Sequence, residues 1–454
     1  MAQTVSQALA QWVMETSYES LPSLIQAESR KTFINSLGTA IGAWSLPDVQ
    51  RAVGYVTSQG VDGPCTILVG GAQTIASGAC FANGVMFNNL GQEETHLQSG
   101  THPVETTMPV VLALAELLGA SGSAALEALV IGAEVAMATA RMSLTPAVKY
   151  DRCEAPAVYG TVGAAAAAAK LLRLDHEATA NALGLATNFA AGLSECIRTG
   201  TDEYHFIVAL ASQHAELAAR LASAGAIASP TCFEGDGGFY HLFGGVERDA
   251  LHGHDVTADV MSRLGTAWGL PELIYKPYPV NYFNEIFADG ALALRRQHHL
   301  GGSDVARVRI TVGQLAATSG AMVPPPYVTR GGHLGSTRFC VASMLARGTL
   351  SLADTLDLGA PDIGSIMDVS EVIADPELTT CRIEVTTTDG SVYEFDGARD
   401  GRDYTLGENE ILDIFRSTAV TSLGEARMEN LLEALSDVAT APNLSGIMTL
   451  SVAP

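Results

Sequence analysis

Apolar residues recur at helical spacing along most of this chain, and residues that start or stop helices bound many of the runs. The stretch from Val110 to Leu118 is almost entirely apolar, and it lies between Pro109 and Gly119. Proline suits the first turn of a helix and glycine suits the position after its last turn, so this stretch is predicted to be a helix. The same periodicity, with Ser123 as a predicted cap, predicts helices over residues 4–44, 75–90, 124–141, 160–174, 177–192, 206–227, 283–298, 337–348 and 407–440.

The pattern changes after about residue 265. Pro277 and Pro279 exclude a helix interior there. Residues 305–312 alternate between apolar and polar side chains, which is typical of a strand. The runs 382–388 and 392–395 are joined through Asp389 and Gly390, which predicts a β-hairpin. Two weaker predictions are a short β-like run at 66–69 and a glycine-rich loop at 331–335.

Together these elements predict a mainly α fold with two domains. A large all-helical domain is predicted over residues 1–264, and C-terminal helices at 404–454 are predicted to return to it. A smaller α/β domain is predicted over residues 265–403. The chain of 454 residues is long enough for two domains with sizeable cores.

The net charge excludes some classes of partner. The chain has 25 basic and 49 acidic residues, which gives a formal charge of −24. Nucleic acids and anionic membranes are bound by basic patches, so neither is an expected partner. The lysines are Lys31, Lys149, Lys170 and Lys276 alone, so the cationic groups that could bind an anionic substrate are few.

Cysteine usage and the terminal sequence predict a cytoplasmic protein. Seven cysteines are scattered, none of them in a C-x-x-C pair, and an odd number of this kind favours free thiols. The spacing also predicts no zinc or iron–sulfur site. The first residues have no basic segment followed by an apolar one, so no signal peptide is predicted. The Ala-rich run at 155–169 is too weakly apolar to predict a membrane span.

Titratable and hydroxyl side chains are concentrated between two predicted helices, in residues 83–119. Glu94, Thr95 and His96 are adjacent, and His102 follows in Thr-His-Pro. Buried helices on either side of such a segment can hold these groups in a pocket. A solvated loop with two surface histidines explains the same pattern equally well.

Several stretches in the same order resemble the MmgE/PrpD family. They are ANGVMFNNLGQEETHLQSGTHPVETTMPVVLALAELLGASG, YGTVGAAAAAAKLLRLD, GDGGFYHLFGG and YKPYPVNYFNEIFADGALAL, and the similarity extends over nearly the full length. The resemblance implies a helical domain, a smaller α/β lid domain, a cleft between them and a homodimer. It also implies catalysis on small polycarboxylates without a metal or an organic cofactor.

The resemblance assigns roles to a few residues. His102 matches the catalytic histidine of the family, and an imidazole suits proton transfer near neutral pH. Lys276 matches a lysine of the lid domain that contacts the substrate, with Tyr278 close to it in the same Pro-bracketed segment. Thr95 matches a hydroxyl residue of the acidic loop. These roles predict a lyase, either a dehydratase or a decarboxylase, that acts on a small carboxylate-bearing substrate.

The departures from the family pattern concern charge. The acidic cluster Asp-Phe-Asp-Asp-Thr of the family is here Gly-Gln-Glu-Glu-Thr, at residues 91–95. Glu154 stands where the family has a second histidine, and Asp202 or Glu203 stands where it has a lysine. Carboxylates repel a polyanionic substrate when both are partly desolvated, so methylcitrate and cis-aconitate themselves are not the expected substrates.

Several assignments remain open at this point. Glu94 and His96 could form a base and its orienting partner beside His102, or Glu154 could act as an acid or base. Glu154 could instead form an ion pair with Arg152 or Lys149. His205 is a candidate for lining the pocket, and a structural role is the alternative. For the activity itself, an epimerase or isomerase and a non-catalytic homologue are the alternatives to a lyase. The His252-Gly-His254-Asp255 segment lacks the spacing of further ligands, so no metal site is predicted.

Overall fold

The computed structural model describes residues 3–142, 153–253, 255–318, 321–401 and 404–454. The chain divides into two compact units. The first, called here the helical unit, comprises Met1–Leu193, His205–Tyr275 and Thr405–Pro454. The second, called the mixed unit, comprises Ser194–Tyr204 and Lys276–Tyr404. The fold is mainly α with a smaller α/β region, which confirms the predicted fold class.

The helical unit contains most of the long helices. In chain order they are α1 (Val5–Glu15), α2 (Ser23–Gly42), α3 (Pro47–Ser58), α4 (Ala76–Asn89), α5 (Pro103–Leu118), α6 (Gly122–Arg141), α7 (Ala155–Leu171), α8 (His176–Phe189), α10 (Glu203–Ser223, in this unit from His205), α11 (Phe239–Leu242), α12 (Arg248–Gly253), α13 (Val256–Met261), α21 (Glu408–Leu423), α22 (Glu425–Ser436) and α23 (Ser445–Leu450). Three-residue 3₁₀ helices lie at Tyr18–Ser20, Leu270–Glu272 and Val438–Thr440.

The centre of this unit is a close packing of α5, α6 and α7. Their small residues allow the backbones to approach: a Cβ atom at Gly163 would lie 2.3 Å from the carbonyl oxygen of Gly132. A Cβ atom at Gly160 would lie 2.3 Å from the hydroxyl of Thr106 on α5. The six consecutive alanines of α7, residues 164–169, are buried as well. The α7 helix is therefore a structural element with almost no free surface.

The C-terminal helices return to the helical unit, as predicted. Helix α21 packs on α2 so closely that a Cβ atom at Gly38 would lie 2.6 Å from the ring of Phe415. The unit is not purely helical, however. Strands β1 (Cys65–Thr66) and β2 (Gln73–Thr74) form a short antiparallel pair, so the predicted β-like run at 66–69 is paired only at its beginning.

The mixed unit surrounds a four-stranded sheet. Its helices are α9 (Glu195–Thr199), α14 (Tyr282–Gln297), α15 (Gln314–Thr318), α16 (Arg330–Gly335), α17 (Thr337–Arg347), α18 (Leu352–Leu356), α19 (Pro361–Asp368) and α20 (Gly397–Asp400), with a 3₁₀ helix at Gly302–Asp304. Its strands are β3 (Val305–Val312), β4 (Ser370–Ala374), β5 (Cys381–Thr387) and β6 (Val392–Asp396).

The sheet has the order β4-β3-β5-β6, in which only the β3–β4 pair is parallel. The predicted strand at 305–312 and the predicted hairpin are confirmed, and Gly390 in the turn has a φ of +85°. Strand β4 was not predicted. Apolar side chains of β3 and β5, such as Ile310 and Ile383, pack against α14 and α17 to form the core of this unit.

Three local predictions were wrong. The glycine-rich residues 331–335 lie in helix α16 and not in a loop, because bonds from Arg330 and His333 to Thr355 hold this turn. Helix α5 begins at Pro103, so Pro109 lies inside the helix and not in its first turn. The cap of α6 is Ser121, which accepts a hydrogen bond from the backbone N–H of Ala124, and not Ser123.

One helix among the described residues, Gly122–Arg141, is long and apolar enough to cross a membrane. Its most apolar stretch is 83% buried by the rest of the protein, as is usual for a core helix. All seven cysteines are buried and have free thiols, as predicted.

Candidate active site

The loop between α4 and α5 is fixed to the rest of the helical unit by backbone hydrogen bonds. Thr95 and Ile274 exchange two of them, at 2.9 and 3.0 Å. Within the loop, the N–H of His96 donates to the carbonyl oxygen of Thr101 at 2.9 Å. Gly91, where the loop leaves α4, has a φ of +82°, a conformation that suits glycine. This segment is therefore an ordered structure and not a solvated loop.

His102 occupies the position just before the first turn of α5. Its Nδ1 atom lies 2.7 Å from the backbone carbonyl oxygen of Glu94 and 3.1 Å from the hydroxyl oxygen of Thr95. A carbonyl oxygen only accepts hydrogen bonds, so Nδ1 carries the proton. In the neutral ring, Nε2 is then the nitrogen that can take up a proton, which is the property of a general base.

The carboxylate of Glu94 is fully buried and stabilises the start of the same helix. One of its oxygens accepts the backbone N–H of Val104 at 2.8 Å, and the other accepts the hydroxyl of Ser36 at 3.3 Å. A carboxylate at the N-terminus of a helix also interacts favourably with the helix dipole. Glu94 thus positions His102 twice, through its backbone carbonyl and through the helix that it caps.

His96 does not form the predicted pair with Glu94. Its Nδ1 accepts the backbone N–H of Ser99 at 3.1 Å, and its Nε2 lies 3.0 Å from a carboxylate oxygen of Glu272. Burial lowers the pKa of His96 to about 4, against the opposing effect of Glu272. The ring is therefore neutral at physiological pH. Its Nδ1 atom bonds within the loop to Ser99, and its Nε2 atom connects the loop to Glu272.

The carboxylate of Glu134 holds the segment around residues 269–272, to which His96 is bonded. Glu134 on α6 accepts the backbone N–H groups of Gly269 and Leu270 at 2.8 and 2.9 Å. Burial raises its pKa to about 7, although these two bonds act in the opposite direction. Arg263 donates to Glu272 at 2.5 Å. The segment that supports the His102 loop is thus held by charged groups from two other parts of the helical unit.

The helical unit also contains a group of buried carboxyl side chains. They belong to Glu93, Glu94, Glu105 and Glu154, each at most 6% exposed. Burial raises the pKa of Glu105 well above its usual range, and the charges of Glu93 and Glu154 raise it further. Like charges in a low-dielectric site cannot all be ionised at low cost, so some of these carboxyl groups are protonated near neutral pH.

Glu154 lies at the N-terminal end of α7. Its side chain accepts the backbone N–H of Ala157 at 2.8 Å, and its own N–H donates to the carbonyl oxygen of Gly192 at 3.1 Å. Burial raises its pKa to about 8, although the bond from Ala157 opposes this. The predicted alternatives, ion pairs with Arg152 or Lys149, lie outside the described residues.

His205 joins this group through a residue that the sequence analysis missed. Asn88, on α4, donates from Nδ2 to Glu105 at 2.6 Å, and its Oδ1 lies 2.5 Å from Nδ1 of His205. The only sequence signals for Asn88 and Glu105 were polar side chains within apolar helices. Glu105 also lies one helical turn after His102, which could have drawn attention to it.

The remaining predicted site residues belong to the mixed unit. Lys276 is 1% exposed. The hydroxyl of Tyr278 donates to Asp289 at 2.8 Å. Asp202 lies beside α16, where a Cβ atom at Gly331 would be 3.3 Å from its carboxylate. The mixed unit also holds Arg330, a cation with 9% exposure that was not predicted because its surroundings were interpreted as a loop.

The His252 segment offers little to a metal ion. The Nε2 atom of His252 lies 2.6 Å from a carboxylate oxygen of Asp236, and both side chains are more than 60% exposed. His254 lies outside the described residues.

The arrangement in the helical unit combines a base and several acids. The bond to the carbonyl oxygen of Glu94 sets the tautomer of His102, so Nε2 is the basic nitrogen of the neutral ring. Glu154, with its pKa of about 8, holds a proton near neutral pH and can donate it. Groups with these two properties can remove a proton from one atom and deliver a proton to another.

The chain is similar to known proteins over most of its length. Residues 7–250 match the MmgE/PrpD N-terminal domain, and residues 278–438 match the MmgE/PrpD C-terminal domain. The chain is 24% identical to a human cis-aconitate decarboxylase over 400 residues, which is 83% of this chain and 79% of that protein. It is 20% identical to the cis-aconitate decarboxylase-like protein oryM of Aspergillus oryzae over 482 residues, covering 98% and 97% of the two chains. The two domain matches together cover most of the sequence, so the chain belongs to the MmgE/PrpD family.

Proposed function

We propose that this protein is a cofactor-independent lyase, a dehydratase or decarboxylase, that acts on a small carboxylate-bearing substrate. The bond between Nδ1 of His102 and the carbonyl oxygen of Glu94 is the main support, because it leaves Nε2 as the proton acceptor. The names of the human and Aspergillus relatives, which refer to decarboxylation, support the reaction class.

In this proposal His102 removes a proton from a carbon atom of the substrate that is adjacent to a carboxylate. The carboxylate stabilises the negative charge that develops on this carbon atom. Glu154 provides a proton to a departing hydroxide, since its raised pKa keeps it protonated near neutral pH. Lys276 binds a substrate carboxylate, a role that rests on its match to the family lysine. The two groups have different affinities for protons. The imidazole can therefore accept the proton from carbon, while the neutral carboxylic acid donates a proton to the leaving group.

The proposed substrate carries less negative charge than methylcitrate or cis-aconitate. Four carboxyl side chains are buried together in the helical unit, and burial and mutual repulsion raise the pKa of Glu105 and of Glu154. Adding the charges of a tricarboxylate there would cost on the order of 1 kcal/mol or more for each close pair. A substrate with hydroxyl groups or an amine would instead form hydrogen bonds with these carboxyl groups.

The test is to supply a panel of hydroxy- and amino-carboxylates, with cis-aconitate and methylcitrate as comparators, and to detect loss of water or carbon dioxide by mass spectrometry. We expect His102→Ala to abolish turnover of any substrate found and to leave the fold intact. His241→Ala is the matched control, because His241 also bonds through Nδ1 to a backbone carbonyl, that of Val246. Equal turnover in the two variants would remove His102 from the mechanism.

Epimerisation is the second candidate. It is favoured by the presence of two separate groups that handle protons, His102 and Glu154, since an epimerase removes a proton on one face and returns one on the other. Deuterium from solvent that enters recovered substrate, without loss of water or carbon dioxide, would identify this reaction. Thermal stabilisation by panel members without any product or exchange would instead identify a binding protein without catalysis.

We also propose that the protein forms a homodimer, as its resemblance to the family implies. Sedimentation velocity at micromolar concentration tests it directly, and a monomeric mass would contradict it.

A further inference from the structure

One buried amide group connects a carboxyl group to an imidazole inside the helical unit. Asn88 lies between Glu105 and His205, with hydrogen bonds of 2.6 and 2.5 Å. The exposed fractions of the three residues are 1%, 0% and 3%. Among the described residues, Oε1 of Glu105 has no hydrogen-bond partner, so the bond to Asn88 is the principal restraint on this carboxyl group.

An amide has one donating end and one accepting end, so the bonds to its two neighbours depend on each other. When Glu105 is ionised, the NH₂ group of Asn88 donates to it. The amide oxygen then faces His205 and requires a proton on Nδ1, which leaves a lone pair on Nε2.

When Glu105 is protonated, the opposite arrangement becomes available. The carboxyl proton is donated to the amide oxygen of Asn88, whose terminal group is rotated by half a turn. Its NH₂ group then donates to Nδ1 of His205, and the ring proton resides on Nε2. The second state contains one more proton than the first, and only bonds to hydrogen differ between them.

We propose that Asn88 is a positioning residue that makes the tautomer of His205 depend on the charge of Glu105. Uptake of one proton by Glu105 converts Nε2 of His205 from a hydrogen-bond acceptor into a donor. The geometry supports this, since a buried amide in contact with both groups can bond to Glu105 and to the neutral ring of His205 in each of these two arrangements.

The charges around the three residues favour the protonated state of Glu105. Glu93, Glu94 and Glu154 all face it and, together with burial, raise its pKa. On the other side, a carboxylate oxygen of Asp48 lies within 4.8 Å of a ring nitrogen of His205. Burial and these carboxylates shift the pKa of Glu105 in the same direction, so the change of state is expected at a higher pH than for an exposed glutamate.

This inference rests on the proposed function only where it gives His205 a role in catalysis. A ring whose Nε2 alternates between acceptor and donor can return a proton during a lyase or epimerase reaction. The dependence of the tautomer on Glu105 is a property of the free protein and is independent of any substrate.

The test is nuclear magnetic resonance of protein labelled with ¹⁵N and ¹³C in histidine, recorded as a function of pH. The coupling pattern of the ring distinguishes the two neutral tautomers and the cation. A His205→Gln variant identifies the signal of His205 among those of the 11 histidines. In the wild type we expect the Nδ1–H form at high pH and a growing fraction of the Nε2–H form as the pH falls.

Two variants and one control separate the proposal from a structural role. Glu105→Gln has no charge to change, so the tautomer ratio should no longer respond to pH. Glu116→Gln, the same substitution on the same helix at a carboxylate that bonds to Thr66, should behave as the wild type. Asn88→Asp can only accept hydrogen bonds, so it should hold the Nδ1–H form at every pH at which it is ionised.

A tautomer ratio that is constant with pH in the wild type would overturn the proposal, as would an unchanged pH response in Glu105→Gln. Direct conversion to the ring cation, with no intermediate change of tautomer, would overturn it too. A protein that shows the tautomer change but turns over no substrate would contradict the proposed function alone.

Discussion

The Nδ1 atom of His102 lies 2.7 Å from the backbone carbonyl oxygen of Glu94, eight residues earlier in the chain. This bond determines which nitrogen of the imidazole carries the proton, and it does so with a backbone atom that no substitution removes. The side chain of Glu94 has a separate task, because it accepts the N–H of Val104 in the first turn of α5. The catalytic proposal therefore depends on a residue whose carboxylate is structural.

The first prediction concerns this carboxylate. Glu94→Ala should lower the free energy of unfolding by about 1–3 kcal/mol, since the buried N–H of Val104 and the hydroxyl of Ser36 would lose their acceptor. Glu94→Gln retains an accepting oxygen and should cost less. Urea unfolding monitored by circular dichroism measures both. Equal losses in the two variants would show that charge, and not the accepting oxygen, is what matters.

The second prediction concerns acid stability and His96. Its pKa is lowered from 6.5 to about 4, so between these values the unfolded chain binds more protons than the folded one. Stability should therefore fall as the pH decreases from 6.5 to 4, by roughly 3 kcal/mol for this residue at about 1.4 kcal/mol per pKa unit. His96→Gln, which keeps a donor for Glu272, should lose less stability over the same range. A steeper loss in the variant would contradict the prediction.

The third prediction has the opposite sign and concerns Glu154. Its pKa is raised from 4.5 to about 8, so the folded chain binds more protons between these values. The contribution of Glu154 is fully present below pH 4.5 and is lost as the pH rises to 8, by up to roughly 5 kcal/mol. Glu154→Gln should therefore become progressively more stable than the wild type as the pH rises through this range. Glu134→Gln should show the same trend with an upper limit near pH 7, because that carboxyl has a pKa of about 7. Unfolding curves at a series of pH values measure both, and a trend that reverses with pH would be inconsistent with protonated carboxyl groups.

The fourth prediction concerns substrate charge. Asp202 stands where the family has a lysine, so Asp202→Lys should strengthen the binding of cis-aconitate by about tenfold, which corresponds to 1.4 kcal/mol. Glu195→Lys makes the same change of charge on the same segment, at a side chain that is 68% exposed. Isothermal titration calorimetry should show a much smaller gain for this control. Equal gains would attribute the effect to net charge and not to a binding site.

The elements with strong periodicity were predictable from the sequence, and those that depend on distant contacts were not. Strand β3 was predicted at its exact bounds, because apolar and polar side chains alternate from Ala306 to Val312 and the residues on either side of the strand are turn residues. Helix α16 was missed, since three of its six residues are glycine and its stability comes from bonds to Thr355, more than 20 residues away.

The same distinction applies to the candidate site. His102, Glu94 and Thr95 are close in sequence, and the motif around them was recognisable. Asn88 contacts Glu105 across 17 residues and His205 across 117, and no local pattern indicates such contacts. Polar residues within apolar helices are a weak signal by themselves, and their meaning emerges only when the helices are packed together.

The close contact between Gly132 and Gly163 limits where substitutions can change the substrate preference of a protein with this fold. No side chain fits between the two helical backbones, so a substitution of either glycine would force the helices apart. The positions immediately before the helices carry no such restriction, and Glu154 and His102 are found there. Exchange of one titratable side chain for another at these helix starts could redirect the chemistry of the protein while its framework persists.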